Sequence, residues 1–252
     1  MSGPLFDHLA QRFASNIYDS PKGWIRLQLL LEDLASLPGY EQGGWSVLDG
    51  GCGQGNAAEF LLARGHTLDL CDISEPMLEV ARQRLQDYSA DRVRFHCLPV
   101  EQLASQLPGP YDLICLHAVL EWLPDPRAGL TAALSLLKPG GHLSLLFYNR
   151  DALEYRHLLH GNFNRLKRPL EGFGGTLTPI NPLIPQEVEQ WVSQAGLEIK
   201  VRTGMRVFFD YMQPAIRKER SFEDVFAMER QYSRRQPFLY LARYIHLLCE
   251  KR

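Results

Sequence analysis

The sequence predicts an α/β fold built on a mostly parallel sheet. Three observations carry that reading. Short apolar runs alternate with segments of helical periodicity from Leu27 to Tyr148. Two of the runs, Val47-Leu48-Asp49 and Leu68-Asp69-Leu70-Cys71-Asp72, end in a carboxylate, and a glycine-rich turn from Gly50 to Gly55 follows the first. A third run, Tyr111-Asp112-Leu113-Ile114-Cys115-Leu116-His117, is nearly continuous and apolar, as a central parallel strand should be. Strands alternating with helices imply right-handed crossovers, with ligands at the strand C-termini.

The elements follow in order. Lys22 to Leu37 carries Leu27, Leu30, Leu31 and Leu34 at amphipathic helical spacing and is closed by Pro38-Gly39. The first strand ends at Asp49, and a helix runs from Ala57 to Arg64, stopped by Gly65. The second strand ends at Asp72. Ser74 can N-cap the next helix, with Glu75 and Pro76 in its first turn and Met77, Val80, Ala81 and Leu85 on its buried face. Val93 to Leu98 alternates as a third strand, and Tyr111 to His117 is the fourth. A helix from Arg127 to Leu137 ends at Pro139-Gly140-Gly141, and His142 to Tyr148 forms the fifth strand.

Beyond Tyr148 the rhythm changes. A basic stretch through Arg150, Arg156, Arg165, Lys167 and Arg168 gives way to a Gly/Pro/Thr-rich loop up to Pro185. A helix from Gln186 to Gln194, a strand from Leu197 to Arg202, a helical segment near Phe222 to Arg234 and a last strand from Tyr244 to Cys249 complete the chain.

Glycine has no Cβ, so the turn after Asp49 can take positive φ and let a ligand lie against bare backbone. Asp72 stands seventeen residues past Gly55, at a strand tip where a ribose diol would be held. Together they point to a nucleoside cofactor. A nicotinamide dinucleotide wants G-x-G-x-x-G, but Asn56 occupies the place of the third glycine, which argues against a hydride-transferring enzyme. The run from Asp49 to Gly55, carboxylate-x-G-x-G-x-G, resembles motif I of the class I S-adenosylmethionine (SAM) methyltransferases. SAM carries no phosphate, and its sulfonium and amino acid tail suit an acidic loop.

At 252 residues the chain is long enough for one α/β domain with an insertion. No apolar run approaches the length of a membrane span, and Met1-Ser2-Gly3-Pro4-Leu5-Phe6-Asp7 lacks the blocks of a signal peptide, so the expected location is the cytoplasm. Five cysteines (Cys52, Cys71, Cys97, Cys115, Cys249) form no C-x-x-C pair and read as reduced residues. No metal is expected; His157-x-x-His160 is the one histidine pair at ligand spacing and reads as a solvated or RNA-facing helix end. Residues 1–149 hold ten Lys/Arg against seventeen Asp/Glu, whereas residues 150–252 hold seventeen against twelve. An acidic cofactor half thus joins a basic half suited to a polyanionic partner; surface scatter is the plainer alternative.

Several further stretches resemble one family, the tRNA 5-carboxymethoxyuridine methyltransferases. They are Phe13-x-x-Asn16-Ile17-Tyr18, Lys22-Gly23-x-x-Arg26, His117-Ala118-Val119-Leu120-Glu121-Trp122, Phe147-Tyr148-Asn149, Gly161-Asn162-Phe163, Thr203-Gly204-x-Arg206-Val207-Phe208-x-Asp210-Tyr211 and Arg243-Tyr244-Ile245-His246. Cys52 departs from the pattern where glycine is common, and the stretch before Thr176-Leu177-Thr178-Pro179 is less basic than the family suggests. The resemblance implies a class I methyltransferase (Rossmann-like) sheet, mostly parallel with an antiparallel last strand, plus a helical substrate-binding insertion. It implies methyl transfer from SAM to the carboxylate of 5-carboxymethoxyuridine at the tRNA wobble position, giving a methyl ester, with the anticodon stem-loop as partner. A carboxylate is already ionised at pH 7, so holding it in line with the methyl is the main demand.

By resemblance, Arg26 reaches the SAM carboxylate, Gly51 and Cys52 lend backbone to the amino acid tail, and Asp72 binds the ribose. Val100 and Glu101 flank the adenine, and His117 closes the pocket near the tail. For the nucleotide, Arg206 is the first candidate to orient the carboxylate, with Asp210 and Tyr211 nearby. The Tyr148 ring can stack on an unpaired base, and Arg156, Arg165, Lys167 and Arg168 can meet phosphates. Each has a structural alternative: a surface charge for Arg26, a helix cap for Glu101, a core histidine for His117, an Arg206–Asp210 ion pair. A methyltransferase of a small metabolite and a non-catalytic tRNA-binding protein with bound SAM remain the competing functions.

Overall fold

The computed structural model describes residues 20–170 and 179–252; Phe13, Asn16, Ile17 and Tyr18, and Thr176 to Thr178, lie outside the described residues. Seven strands form one sheet in the order β3-β2-β1-β4-β5-β7-β6. They are β1 (Ser46–Gly50), β2 (Thr67–Asp72), β3 (Val93–Cys97), β4 (Tyr111–His117), β5 (Leu137–Tyr148), β6 (Leu197–Met205) and β7 (Tyr244–Lys251). The first five pair in parallel, and β7 runs antiparallel between β5 and β6. The strand order reverses between β1 and β4, which opens a crevice at their C-terminal ends.

Helix α1 (Pro21–Ala35) covers that crevice. Ser20 caps it by accepting the Gly23 N–H, Pro21 occupies its first turn, and Gly39 takes φ 90° beyond its end. Its buried face is Ile25, Leu29, Leu30, Asp33 and Leu34, whereas Leu27 and Leu31 are only half-buried. The expected leucine stripe is therefore rotated: Leu27 lines the crevice without being buried, and Leu30 sits where the core meets that crevice. Helices α2 (Ala58–Ala63), α3 (Glu75–Arg84), α4 (Leu103–Gln106) and α5 (Pro126–Leu134) connect the parallel strands. On α3 it is Leu78, not Val80, that is fully buried beside Met77 and Ala81.

Pro139-Gly140-Gly141 does not stop a helix. It lies inside β5, at an irregularity in the pairing with β4, and the preceding helix ends at Leu134. The reason is ladder pairing: Leu136 accepts the Tyr111 N–H, and Leu137 pairs with Tyr111, so these residues belong to the sheet.

Additional helices follow β5: α6 (Arg150–Leu159), α7 (Phe163–Leu166) and α8 (Pro185–Gln194), with α9 (Pro214–Glu219) and α10 (Phe222–Tyr232) between β6 and β7. Buried Asn149 starts α6, accepting the Asp151 N–H while donating to the carbonyls of Tyr240 and Ala242. No helix of the described residues is long and apolar enough to cross a membrane.

Strand β6 runs three residues past the expected Arg202, because Thr203, Gly204 and Met205 continue the ladder with β7. Gly204 is required there: a Cβ would lie 2.6 Å from the Leu239 carbonyl oxygen and 2.7 Å from the Leu239 Cα. Backbone cannot yield as a side chain does. Gly204→Ala is expected to cost about 1–3 kcal/mol of stability, the usual range for overpacking, measured by urea denaturation. A midpoint equal to that of the parent would refute the close approach.

Candidate active site

The crevice is lined by Gly23, Arg26, Leu27 and Leu30 of α1, Asp49 of β1, Gly51, Cys52, Asn56 and Ala57 of the glycine loop, His117 of β4 and Leu146 of β5. Four of the expected cofactor residues, Arg26, Gly51, Cys52 and His117, meet here. Asp72, at the end of β2, is joined to the same loop through Gly53, whereas Val100 and Glu101 lie in the short turn after β3 and are not part of the crevice lining. Gly51, Gly53 and Gly55 all take positive φ (76°, 55° and 70°), and a Cβ on Gly51 would fall 2.4 Å from Val119 Cγ2.

The loop is tied to β2. The N–H groups of both Gly51 and Cys52 donate to the Cys71 carbonyl, at 2.7 and 2.9 Å. What these residues can lend a ligand is therefore carbonyl oxygen rather than N–H, which suits an ammonium. Asp72 organises the same loop: Oδ2 accepts the Gly53 N–H at 2.8 Å and Oδ1 accepts the Ser74 N–H at 2.9 Å. Beneath them Asp49 is buried, and burial, reinforced by Asp72, pushes its carboxyl up to about 7. Val100 is buried in the short turn after β3, and Glu101 is exposed.

His117 ends β4 with Nε2 on Ser144 Oγ at 2.8 Å. Burial is the main cause that holds it far below the ordinary imidazole range, so it is neutral at pH 7. The next residue, Ala118, takes φ 61°, a left-handed conformation that costs a non-glycine residue roughly 1–2 kcal/mol. Three residues on, Glu121 is fully buried with no hydrogen-bond partner for either carboxylate oxygen. Burial pushes it up to about 8; its own N–H, Arg26 and the Tyr148 N–H pull the other way without closing a hydrogen bond.

Glu121 makes the fold pH-sensitive. A carboxyl whose folded value lies above its unfolded value near 4.5 supports the fold at low pH and withdraws that support as pH rises toward 8. Glu121→Gln should match the parent near pH 5 and exceed its stability at pH 8 by about 2 kcal/mol or more. Denaturation curves at both values check this, and a gap independent of pH would contradict it.

A second cluster adjoins the crevice. Arg206 takes φ 64°, and the N–H groups of Val207, Phe208 and Phe209 converge on the buried Glu229 carboxylate at 2.7 to 3.1 Å. That anchor fixes the turn and points Arg206 inward. Its guanidinium lies 3.2 Å from Asp210, and its Nε is buried without a hydrogen-bond partner. Burial alone would raise Asp210, but Arg206, Arg243 and Lys22 hold it below the usual carboxylate range. Arg206 and Arg26 both lie over the Tyr244 ring, at 5.3 and 5.6 Å from its centroid.

Tyr148 is also buried here, its ring covered by Arg243 at 4.8 Å and edge-on to Tyr244 at 5.4 Å. The face expected to take a base is thus occupied by a guanidinium, and Tyr148 serves as a wall. Tyr211 spends its hydroxyl on the carbonyls of Ala152 and Leu241. Arg165, Lys167 and Arg168 lie on and after α7; Lys167 and Arg168 are exposed, and Arg165 donates to the Pro169 carbonyl. His160 holds its Nδ1 against the Arg156 carbonyl. All five cysteines are free thiols, and no group of acidic, Cys or His side chains among the described residues could hold a metal ion.

Sequence reasoning missed Glu229 and the buried state of Glu121, and it gave Arg243 no role of its own. Glu229 had one legible signal, an acid four residues after Val225 on the apolar face of an amphipathic helix.

The comparisons agree with this architecture. A methyltransferase domain family matches residues 48–143. The tRNA 5-carboxymethoxyuridine methyltransferase of Escherichia coli (strain K12) is 38% identical over 98% of this chain and 95% of its own length. The ubiquinone biosynthesis O-methyltransferase of Acinetobacter baylyi is 32% identical over 64% of this chain and 67% of its own. Among solved structures, the magnesium protoporphyrin IX methyltransferase of Synechocystis PCC 6803 superposes with a TM-score of 0.68 at 17% identity, covering 99% of this chain and 98% of that one. A match of 38% identity that covers nearly the whole of both chains shows that the chain belongs to the tRNA 5-carboxymethoxyuridine methyltransferases, a family of class I SAM-dependent methyltransferases.

Proposed function

We propose that this protein transfers a methyl group from SAM to the carboxylate of 5-carboxymethoxyuridine at the tRNA wobble position, forming the methyl ester. The carrying observation is Arg206, whose buried Nε donor lacks a partner beside Arg26 and Arg243. A buried unsatisfied donor costs about 1–3 kcal/mol, which an incoming carboxylate recovers. The relative from Escherichia coli bears the name of this reaction.

SAM supplies the methyl group as an electrophile. The crevice and the turns near it offer residues that would hold it: Asp72 for the ribose, Val100 and Glu101 for the adenine, Arg26 for the tail carboxylate, and the loop carbonyls with buried Asp49 as the negative side. Arg206 holds the substrate carboxylate, with Asp210 bracing it. No base is needed, since a carboxylate with an ordinary value near ~4 carries its charge at pH 7. Esterification removes that charge, so the arginines lose their hold on the product.

The outer surface suits an RNA loop. Leu158, Leu159 and Phe163 are more than half exposed among Arg156, Arg165, Lys167 and Arg168, giving a platform for unpaired bases flanked by phosphate contacts. The same reading has the protein act in the cytoplasm.

The test is incubation with labelled SAM and tRNA bearing the carboxymethoxy group, beside unmodified tRNA. Label confined to the modified tRNA supports the reading. Equal labelling of both, or of neither, rejects it, and label in an RNase-resistant small molecule would favour a metabolite methyltransferase.

A further inference from the structure

Behind the crevice runs a line of buried polar groups that transfer to a carboxylate does not itself require. His117 Nε2 meets Ser144 Oγ at 2.8 Å, Ser144 Oγ meets His246 Nε2 at 2.8 Å, and His246 Nδ1 meets Asp33 Oδ2 at 2.7 Å. The other Asp33 oxygen accepts from Thr203 Oγ1 and from Arg234. Ser144, His246, Asp33 and Thr203 are at most 2% exposed. The line joins β4, β5, β7 and α1.

Counting protons decides how it is wired. A hydroxyl has a single hydrogen, so Ser144 donates to one Nε2 and accepts from the other. Asp33 is already neutralised by Arg234, and a further cation at His246 would stand uncompensated in the core. Neutral His246 carries its proton on Nδ1, facing Asp33, and presents a lone pair at Nε2. Ser144 therefore donates to His246 and accepts from the Nε2–H of His117. The remaining nitrogen of His117, Nδ1, is left unprotonated.

We propose that Asp33, His246 and Ser144 are positioning residues that set the tautomer of His117, so that its Nδ1 faces the crevice as an acceptor for the α-ammonium of the cofactor tail. Arg26 serves the carboxylate of the same tail, and the two ends of a zwitterion are told apart. The ligand half of this inference rests on the SAM reading of the crevice; the tautomer half does not.

Asp33→Asn tests it. Two donors, Thr203 and Arg234, hold the amide oxygen at the Oδ1 place, so the amide NH₂ must face His246 Nδ1. Every proton on the line then reverses, and His117 turns Nδ1–H toward the crevice. ¹⁵N NMR, with His117 assigned by its loss in His117→Gln, should show Nδ1 unprotonated in the parent and protonated in Asp33→Asn. Calorimetry should show S-adenosylhomocysteine binding weakened about tenfold, the loss of one charge-assisted hydrogen bond. The analogue lacking the α-amino group should bind both proteins equally. Ser144→Ala, which cuts the line without reversing it, should give mixed tautomers and a loss of roughly threefold.

A parent His117 protonated at Nδ1 would overturn the relay, as would equal weakening of both ligands in Asp33→Asn. The expected tautomers with no binding of S-adenosylhomocysteine would uphold the relay and reject the SAM reading.

Discussion

Asp72→Ala is expected to weaken S-adenosylhomocysteine binding about 100-fold. A carboxylate accepting two ribose hydroxyls contributes two charge-assisted hydrogen bonds, each about 1.5–3 kcal/mol. Against this, water refills part of the space, which leaves a net loss near 3 kcal/mol, or roughly two decades in Kd. Asp72 does more than face a ligand, since it also holds the N–H groups of Gly53 and Ser74. Removing it therefore loosens the loop as well. Asp72→Asn keeps the shape and gives up the charge, and should fall between the two. Calorimetry decides the matter: a Kd within about threefold of the parent for Asp72→Ala would place the ribose elsewhere.

The second large effect is at Arg206. Arg206→Ala should lower turnover of carboxymethoxy-bearing tRNA by about 100-fold or more, the scale of a lost orienting contact, while S-adenosylhomocysteine affinity stays within about threefold. Arg206→Lys should rescue little, because an ammonium cannot reproduce the planar fork of donors. The truncation also strands Asp210, now partnered by Lys22 at 3.5 Å, and breaking a buried pair typically costs about 3–5 kcal/mol. The double variant Arg206→Met/Asp210→Asn removes that stranded charge and should regain stability without regaining turnover. Recovery of turnover in the double variant would show that Arg206 acts only as a structural ion pair. A large loss of cofactor affinity in Arg206→Ala would instead place it at the cofactor.

The fold was legible because its signals are local. The glycine turn after Asp49, the carboxylate ending β2 and the apolar run of β4 are read within a few residues, and all came out in place. The misreadings share one cause. Pro139-Gly140-Gly141 carries the composition of a stop, yet pairing with Tyr111 draws Leu137 into the sheet. On α1 the leucine spacing marked a stripe, but which leucines face the core and which face the crevice depends on what α1 lies against. Tyr148 illustrates the limit at the site: a strand-end tyrosine reads as a stacking platform until Arg243, far along the chain, covers its face.

The sequence by itself determined the order of strands and helices, the glycine loop, the carboxylate that ends β2 and the acidic-to-basic change along the chain. Periodicity, missing Cβ atoms and charge counts need no partner to be read. Tertiary structure alone decided that Glu121 is buried without a partner, that Glu229 pins the turn bearing Arg206, and that Asp33 reaches His246 across 213 positions of sequence. Those facts depend on which polar groups lose water together. Desolvation and pairing are properties of a packed interior, and no stretch of chain carries them alone.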